Sequence, residues 1–151
     1  VTDATATSTE AGVVDVRILL KNNTTAPEAL IKTVQEKLSA KTIRPLTDQV
    51  VVSQPDQVEL NIDLSYWITQ PPQESSTKEI QDAVTAAVES YKEWQTGKIG
   101  RDINPSKLAA LVMEAGAKRV VIRSPEFVVL TDTQAAKLKE STVKYEGIEN
   151  E

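Results

Sequence analysis

Glu59, Asn61 and Asp63 occupy alternate positions in an apolar run, the spacing that brings side chains to one face of a strand. Two carboxylates flanking an amide could serve acid–base chemistry or help hold a metal ion. Alternation alone also produces such pairs on the wet face of a half-exposed sheet, and that is the reading adopted for them. The chain has no cysteine and no histidine. Thiol nucleophiles, sulfur-ligated zinc, an imidazole base and a serine–histidine–aspartate triad are therefore excluded. Lysine catalysis would require burial, yet Lys32, Lys37, Lys78, Lys92, Lys107, Lys137 and Lys139 all lie in polar helix or loop contexts, which give no cause for a depressed pKa. Residues 97–101 (GKIGR) hold two glycines and basic side chains but lack the spacing and the closing lysine–hydroxyl pair of a phosphate loop.

The remaining charged pair is Arg101 and Asp102, inside the stretch Ile99, Gly100, Arg101, Asp102, Ile103, Asn104 and Pro105. This stretch reads as a structural corner. Gly100 lets the chain turn after a long helix, Ile99 and Ile103 anchor the turn in the core, and Asn104 caps the helix that Pro105 starts. Arg101 and Asp102 are expected to form a local ion pair, with a contact from Asp102 to a partner as the alternative. Tyr66 and Trp67 are strand neighbours and must point to opposite faces; with Asp102 they are the candidate interface residues. No catalytic, cofactor-binding or metal-ligating residue is expected.

These residues are positioned by a mixed set of elements. Residues 13–20 (VVDVRILL) form a β-branched run stopped by Lys21, Asn22 and Asn23, and residues 1–8 can pair with it through Glu10, Ala11 and Gly12. Thr25 and Glu28 have capping-box spacing; with Pro27 in the first turn and Leu30, Ile31, Val34 and Leu38 on one face, they predict a helix over 26–40, broken at 44–48 (RPLTD). Residues 50–52 and 58–68 read as strands separated by a break at Pro55 and Asp56. Ser76 and Glu79 repeat the capping-box spacing before Ile80, Ala83, Val84, Ala87, Val88 and Tyr91, which predict a longer helix to about Trp94. Leu108, Leu111, Val112 and Ala115 form the buried face of a short helix ended by Gly116. Strands are predicted at 119–123 and 142–145, a turn at 124–126 and extended chain at 128–130; 134–139 stays open between a helical turn and a loop. The fold class is α+β: two small consecutive strand–helix layers, each a short sheet covered by helices on one face. The domains are expected at 1–55 (strand–helix–strand) and 56–151 (strand–helix–helix–strand–strand), with an upstream domain absent from this chain.

A length of 151 residues allows one ordinary domain or two small ones, and 40% hydrophobic with 26% charged residues is the mix of a folding chain. Seventeen basic against 22 acidic residues leave a net charge of −5, so nucleic acid is not an expected partner. No apolar run approaches the roughly 20 residues needed to span a bilayer, and residues 1–12 lack signal-peptide character; the chain is read as soluble and unanchored, with no membrane partner. Aromatic residues make up only 4%, which predicts a monomer or weak dimer in dilute solution.

The run Arg44, Pro45, Leu46, Thr47, Asp48, then 50–52 (VVV), 57–63 (QVELNID), 99–103 (IGRDI) with a short helix, Ala115 and Gly116, Arg119 and Val120, and Ser124 and Pro125, in this order and spacing, resembles the C-terminal portion of the baseplate J-like proteins of contractile-tailed phages. The resemblance spans essentially the whole chain. It implies a structural subunit of a tail baseplate wedge that helps couple rearrangement of the central hub to sheath contraction, with no enzyme activity and no cofactor. It implies other wedge proteins, and as a further candidate a second copy of this chain, as partners; no small-molecule substrate is expected. The location it implies is the virion tail baseplate, after synthesis in the host cytoplasm. Residues 130–138 look more helical than the extended final segment of such proteins. Two other readings remain. One is a small α+β ligand-sensing or regulatory domain with a closed apolar pocket. The other is a carboxylate-dependent tail glycan hydrolase, which needs two acids facing each other roughly 5–10 Å apart across a cleft.

Overall fold

The computed structural model describes residues 1–39, 49–73 and 75–150. Its first sheet has the order β1 (Asp3–Glu10), β2 (Val13–Leu19), β3 (Gln49–Ser53). The first two strands form an antiparallel hairpin turned at Gly12, whose φ of 78° is the left-handed conformation that glycine adopts without strain. The third runs parallel to β2, as expected for a strand reached through a helical crossover. That crossover is α1 (Glu28–Leu38), which lays Ile31, Val34 and Leu38 over Val14, Val16, Ile18, Val50 and Val52. The predicted capping box does not form. Pro27 is the N-cap, its carbonyl accepts the Leu30 and Ile31 N–H groups at 3.0 and 3.2 Å, and the helix starts too late for Thr25 to reach it. The predicted helix end at Ala40 and the break at 44–48 lie outside the described residues.

The second sheet has the order β5 (Arg119–Ser124), β4 (Asp56–Thr69), β6 (Gln134–Glu149). Period-2 alternation in β4 buries Leu60, Ile62, Leu64, Tyr66 and Ile68. Over that face lie α2 (Ser75–Thr96), contributing Val84, Val88 and Tyr91, and α3 (Pro105–Glu114), contributing Leu108 and Val112. Each fully buried aliphatic side chain contributes roughly 1.5–3 kcal/mol, so this face is the principal core. Ser76 lies inside the first turn of α2, not at its cap, because the helix begins at Ser75. It also runs two residues beyond Trp94, to Thr96.

The fold is thus α+β, with two sheets of three strands each and three α-helices among the described residues. Residues 134–139 correct the reading of this segment as helical turn or loop: they are the first part of β6, which pairs parallel with β4 from Asp56↔Gln134 to Thr69↔Glu149. Alanine, lysine and leucine there favour helix locally, but the unpaired side of β4 provides a complete ladder and overrides that preference.

The two sheets meet at a small joint. Leu19 of β2, Ile99 and Ala135 of β6 form their own buried cluster. Around it, the Ile99 N–H donates to Asp3 Oδ2 at 2.9 Å, and the buried Asn23 amide donates to the Ala136 carbonyl at 3.0 Å. Arg17 reaches from β2 to the Gln54 carbonyl and to Asp56, at 2.9 and 3.3 Å.

Candidate functional site

The corner after α2 is assembled residue by residue. Gly100 has φ 80°, and its N–H donates to the Gln134 carbonyl at 2.8 Å. Asn104 Oδ1 accepts the Ser106 N–H at 3.0 Å with Pro105 in the first turn of α3. Ile103 is buried and makes a two-way backbone bridge with Val128. The expected ion pair between Arg101 and Asp102 is not what forms. The Arg101 guanidinium lies 4.3 Å from the Trp94 ring centroid and donates to the Trp94 carbonyl, while Asp102 Oδ1 accepts the Leu130 N–H at 2.9 Å. Both charges have local partners, since neighbouring side chains on a turning backbone diverge to whatever lies on each side.

At the centre of the corner is Gln95, fully buried. Its Oε1 accepts the Asn104 N–H at 3.0 Å and the Tyr91 hydroxyl at 3.1 Å, and its Nε2 donates to the Asp102 carbonyl at 3.0 Å. Burial pushes the Tyr91 hydroxyl pKa up, so it stays a donor. Sequence reasoning passed over Gln95. The available signal was a polar residue continuing the stripe of Val84, Val88 and Tyr91 at helical spacing.

Among the described residues, no helix packs on the other face of the second sheet. Glu59 Oε1 accepts from Asn61 Nδ2 at 2.7 Å and pairs with Lys139 at 3.4 Å; these contacts, the Asn61 bond foremost, hold its pKa below the ordinary glutamate value. Asp63 is bound by Arg123 at 2.7 and 3.0 Å, which lowers its pKa likewise. Arg123 also donates to the Ser65 hydroxyl at 3.0 Å, and Ser65 donates to Glu146 at 3.1 Å, so the long side chains bury Ser65 on a face that is otherwise wet. At one end the Arg119 guanidinium sits 3.6 Å from the Trp67 ring centroid and pairs with Glu149, which Lys118 also contacts at 3.2 Å. Arg119 first, then Lys118, draws the Glu149 pKa down to about 2. Tyr66 faces the opposite way, buried against Tyr145. Of the candidate interface residues, Trp67 and Asp102 are partly exposed and Tyr66 belongs to the core.

Glu59 and Asp63 stand four residues apart on one strand, about 13 Å at the usual rise. They lie side by side along the sheet, and each is committed to a neighbour there. A depression of about 300 Å³ between Gln57, Glu59, Lys137 and Lys139 is open and charged, unlike a closed apolar pocket. Among the described residues, no group of three or more acids could hold a metal ion, and no helix is long and apolar enough to cross a membrane.

Two family models match this chain: the baseplate J-like central domain over residues 1–54 and the baseplate J-like protein C-terminal domain over residues 68–144. A curated relative, baseplate protein J of Escherichia phage P2, is 30% identical over 138 residues. The alignment takes in 90% of this chain and 44% of the relative, so the chain spans less than half of that protein's length. The first model falls on the sheet of β1, β2 and β3, the second on α2, the corner, α3, β5 and much of β6, and the chain belongs to the baseplate J-like family.

Proposed function

We propose that the chain serves as a structural subunit of the tail baseplate wedge, with no catalytic role, and that it works through contacts with neighbouring subunits during assembly and contraction. The observation that carries this reading is the uncovered face of the second sheet. Its acids and bases are paired laterally, Asp63 with Arg123 and Glu149 with Arg119 and Lys118, and Trp67 lies flat beneath Arg119. Such a face offers aromatic and arginine contacts to another protein and encloses no substrate. Partners on this reading are other wedge proteins and a second copy of the chain, the location is the virion tail, and synthesis is in the host cytoplasm. The chain divides into units at 1–55 and 56–151, and residues 99–105 work as the corner that ties them together. The test is Trp67→Ala in the full-length protein. Because Trp67 is outside the core, melting should be little changed, while incorporation into tails, followed by immunoblot of purified particles, should fall at least about tenfold. Full incorporation would remove this face from the assembly.

A further inference from the structure

The connection between β5 and β6 presents Phe127, Val128 and Val129 at 58%, 41% and 70% exposure. Its backbone is nonetheless fixed. Val128 exchanges hydrogen bonds with Ile103 at 2.8 and 3.1 Å, and the Leu130 N–H is held by Asp102. Three consecutive large apolar side chains on a tethered backbone form a ridge of the kind that marks an interaction site. Beside it runs a groove of about 250 Å³ with Ile103, Pro125 and Val128 among its apolar lining and Glu59, Asn61 and Glu126 among its polar lining. Among the described residues, no basic side chain lines it, although Lys139 reaches its Glu59. Glu59 already holds Asn61 and Lys139, whereas Glu126 has no hydrogen-bond or ion-pair partner for its side chain among the described residues. Asn61 Oδ1 is buried without a partner. Its amide cannot turn over to correct this, because Nδ2 is donating to the Glu59 carboxylate. Glu126 is therefore an exposed carboxylate beside the groove without a cation of its own, and among the described residues the ridge has no apolar cover.

We propose that groove and ridge together dock an extended segment of a neighbouring baseplate subunit, whose lysine or arginine pairs with Glu126 while its apolar side chains cover Phe127 and Val129. This rests on the baseplate reading above and adds the chemistry of the partner. The volume lies below the roughly 300–1,000 Å³ of small-molecule sites and suits a single long side chain. The unpaired Glu126 carboxylate favours a cation over a phosphate here.

Benzoylphenylalanine placed at position 127 of the full-length protein and irradiated in purified tail particles tests the contact. The expected result is one dominant crosslink, mapped by peptide mass spectrometry to a segment of another subunit carrying lysine or arginine among apolar residues. Glu126→Lys should lower its yield at least about tenfold, and Glu126→Gln should lower it less, with incorporation retained. Incorporation with no crosslink, or with one to an acidic segment or to a second copy of this chain, overturns the docking proposal and leaves the baseplate reading standing. Absence of the unsubstituted protein from particles overturns both.

Discussion

Gln95 occupies the position where the buried stripe of α2 reaches the corner, and its amide serves Tyr91, Asp102 and Asn104 at once. Gln95→Leu keeps most of the volume but orphans the buried Tyr91 hydroxyl, at about 1–3 kcal/mol, and strips the partly buried Asp102 carbonyl and Asn104 N–H of their partner. Tyr91→Phe removes one hydroxyl and should cost only about 0.5–1.5 kcal/mol; urea midpoints that rank the two variants in the reverse order would contradict the keystone role. By the same logic Asn104→Ala should cost about 1 kcal/mol as a lost N-cap, and Ile103→Ala about 2–5 kcal/mol as a core truncation. Asn104 and Pro105 were legible in the sequence because a cap is a local pattern. Gln95 showed only as a polar residue continuing the α2 stripe, because its partners Asp102 and Asn104 come from the turn beyond the helix and only the folded corner brings them together. Glu149 gives a test in pH. Its folded pKa, about 2, is depressed from the ordinary 4.5, so its stabilising contribution is complete above the ordinary value and disappears as pH falls through the folded one. Between about pH 4.5 and 2, Glu149→Gln should flatten the acid-induced loss of stability, and because the pairs are exposed, high salt should shrink the difference.

At the scale of elements, the sheet edges are closed by different devices. Gln35 of α1 places its amide against the free side of β3, with Nε2 donating to the Val50 carbonyl and Oε1 accepting the Val52 N–H at 2.7 Å. A single side chain thus imitates one rung of a further strand. Gln35→Ala leaves those backbone groups open, and an open edge pairs with other chains. Light scattering of concentrated protein should show association that the wild type lacks; a monomeric Gln35→Ala at the same concentration would show that the edge needs no such plug. On β6, breaks in register at Leu60/Asn61 and Tyr66/Trp67, together with Lys137, Lys139 and Lys144, disturb the outer edge instead. The helix between β2 and β3, the two later helices and the alternation of β4 were all visible as periodicity, whereas the order of strands within each sheet was not. The 16-residue length of β6 was not, because its register breaks and helix-favouring start hide a period of two, and its partner lies more than 70 positions back in the chain.

In the whole molecule, the two sheets meet, among the described residues, at the small cluster of Leu19, Ile99 and Ala135 and a few polar bridges. Leu19→Ala should cost about 2–5 kcal/mol, felt at the joint and by the first sheet more than by the core of the second. Hydrogen exchange should then accelerate in β1, β2 and β3 while β4 amides stay protected; uniform acceleration would mean that the sheets unfold as one unit. The parallel pairing of β4 and β6 has a mechanical consequence. A pull applied at Asp56 and resisted at Glu149 drags the two strands lengthwise past each other, because β4 is gripped at its start and β6 at its finish. The rungs between them share that shear and none is peeled first, so the sheet behaves as a stiff tie along this axis.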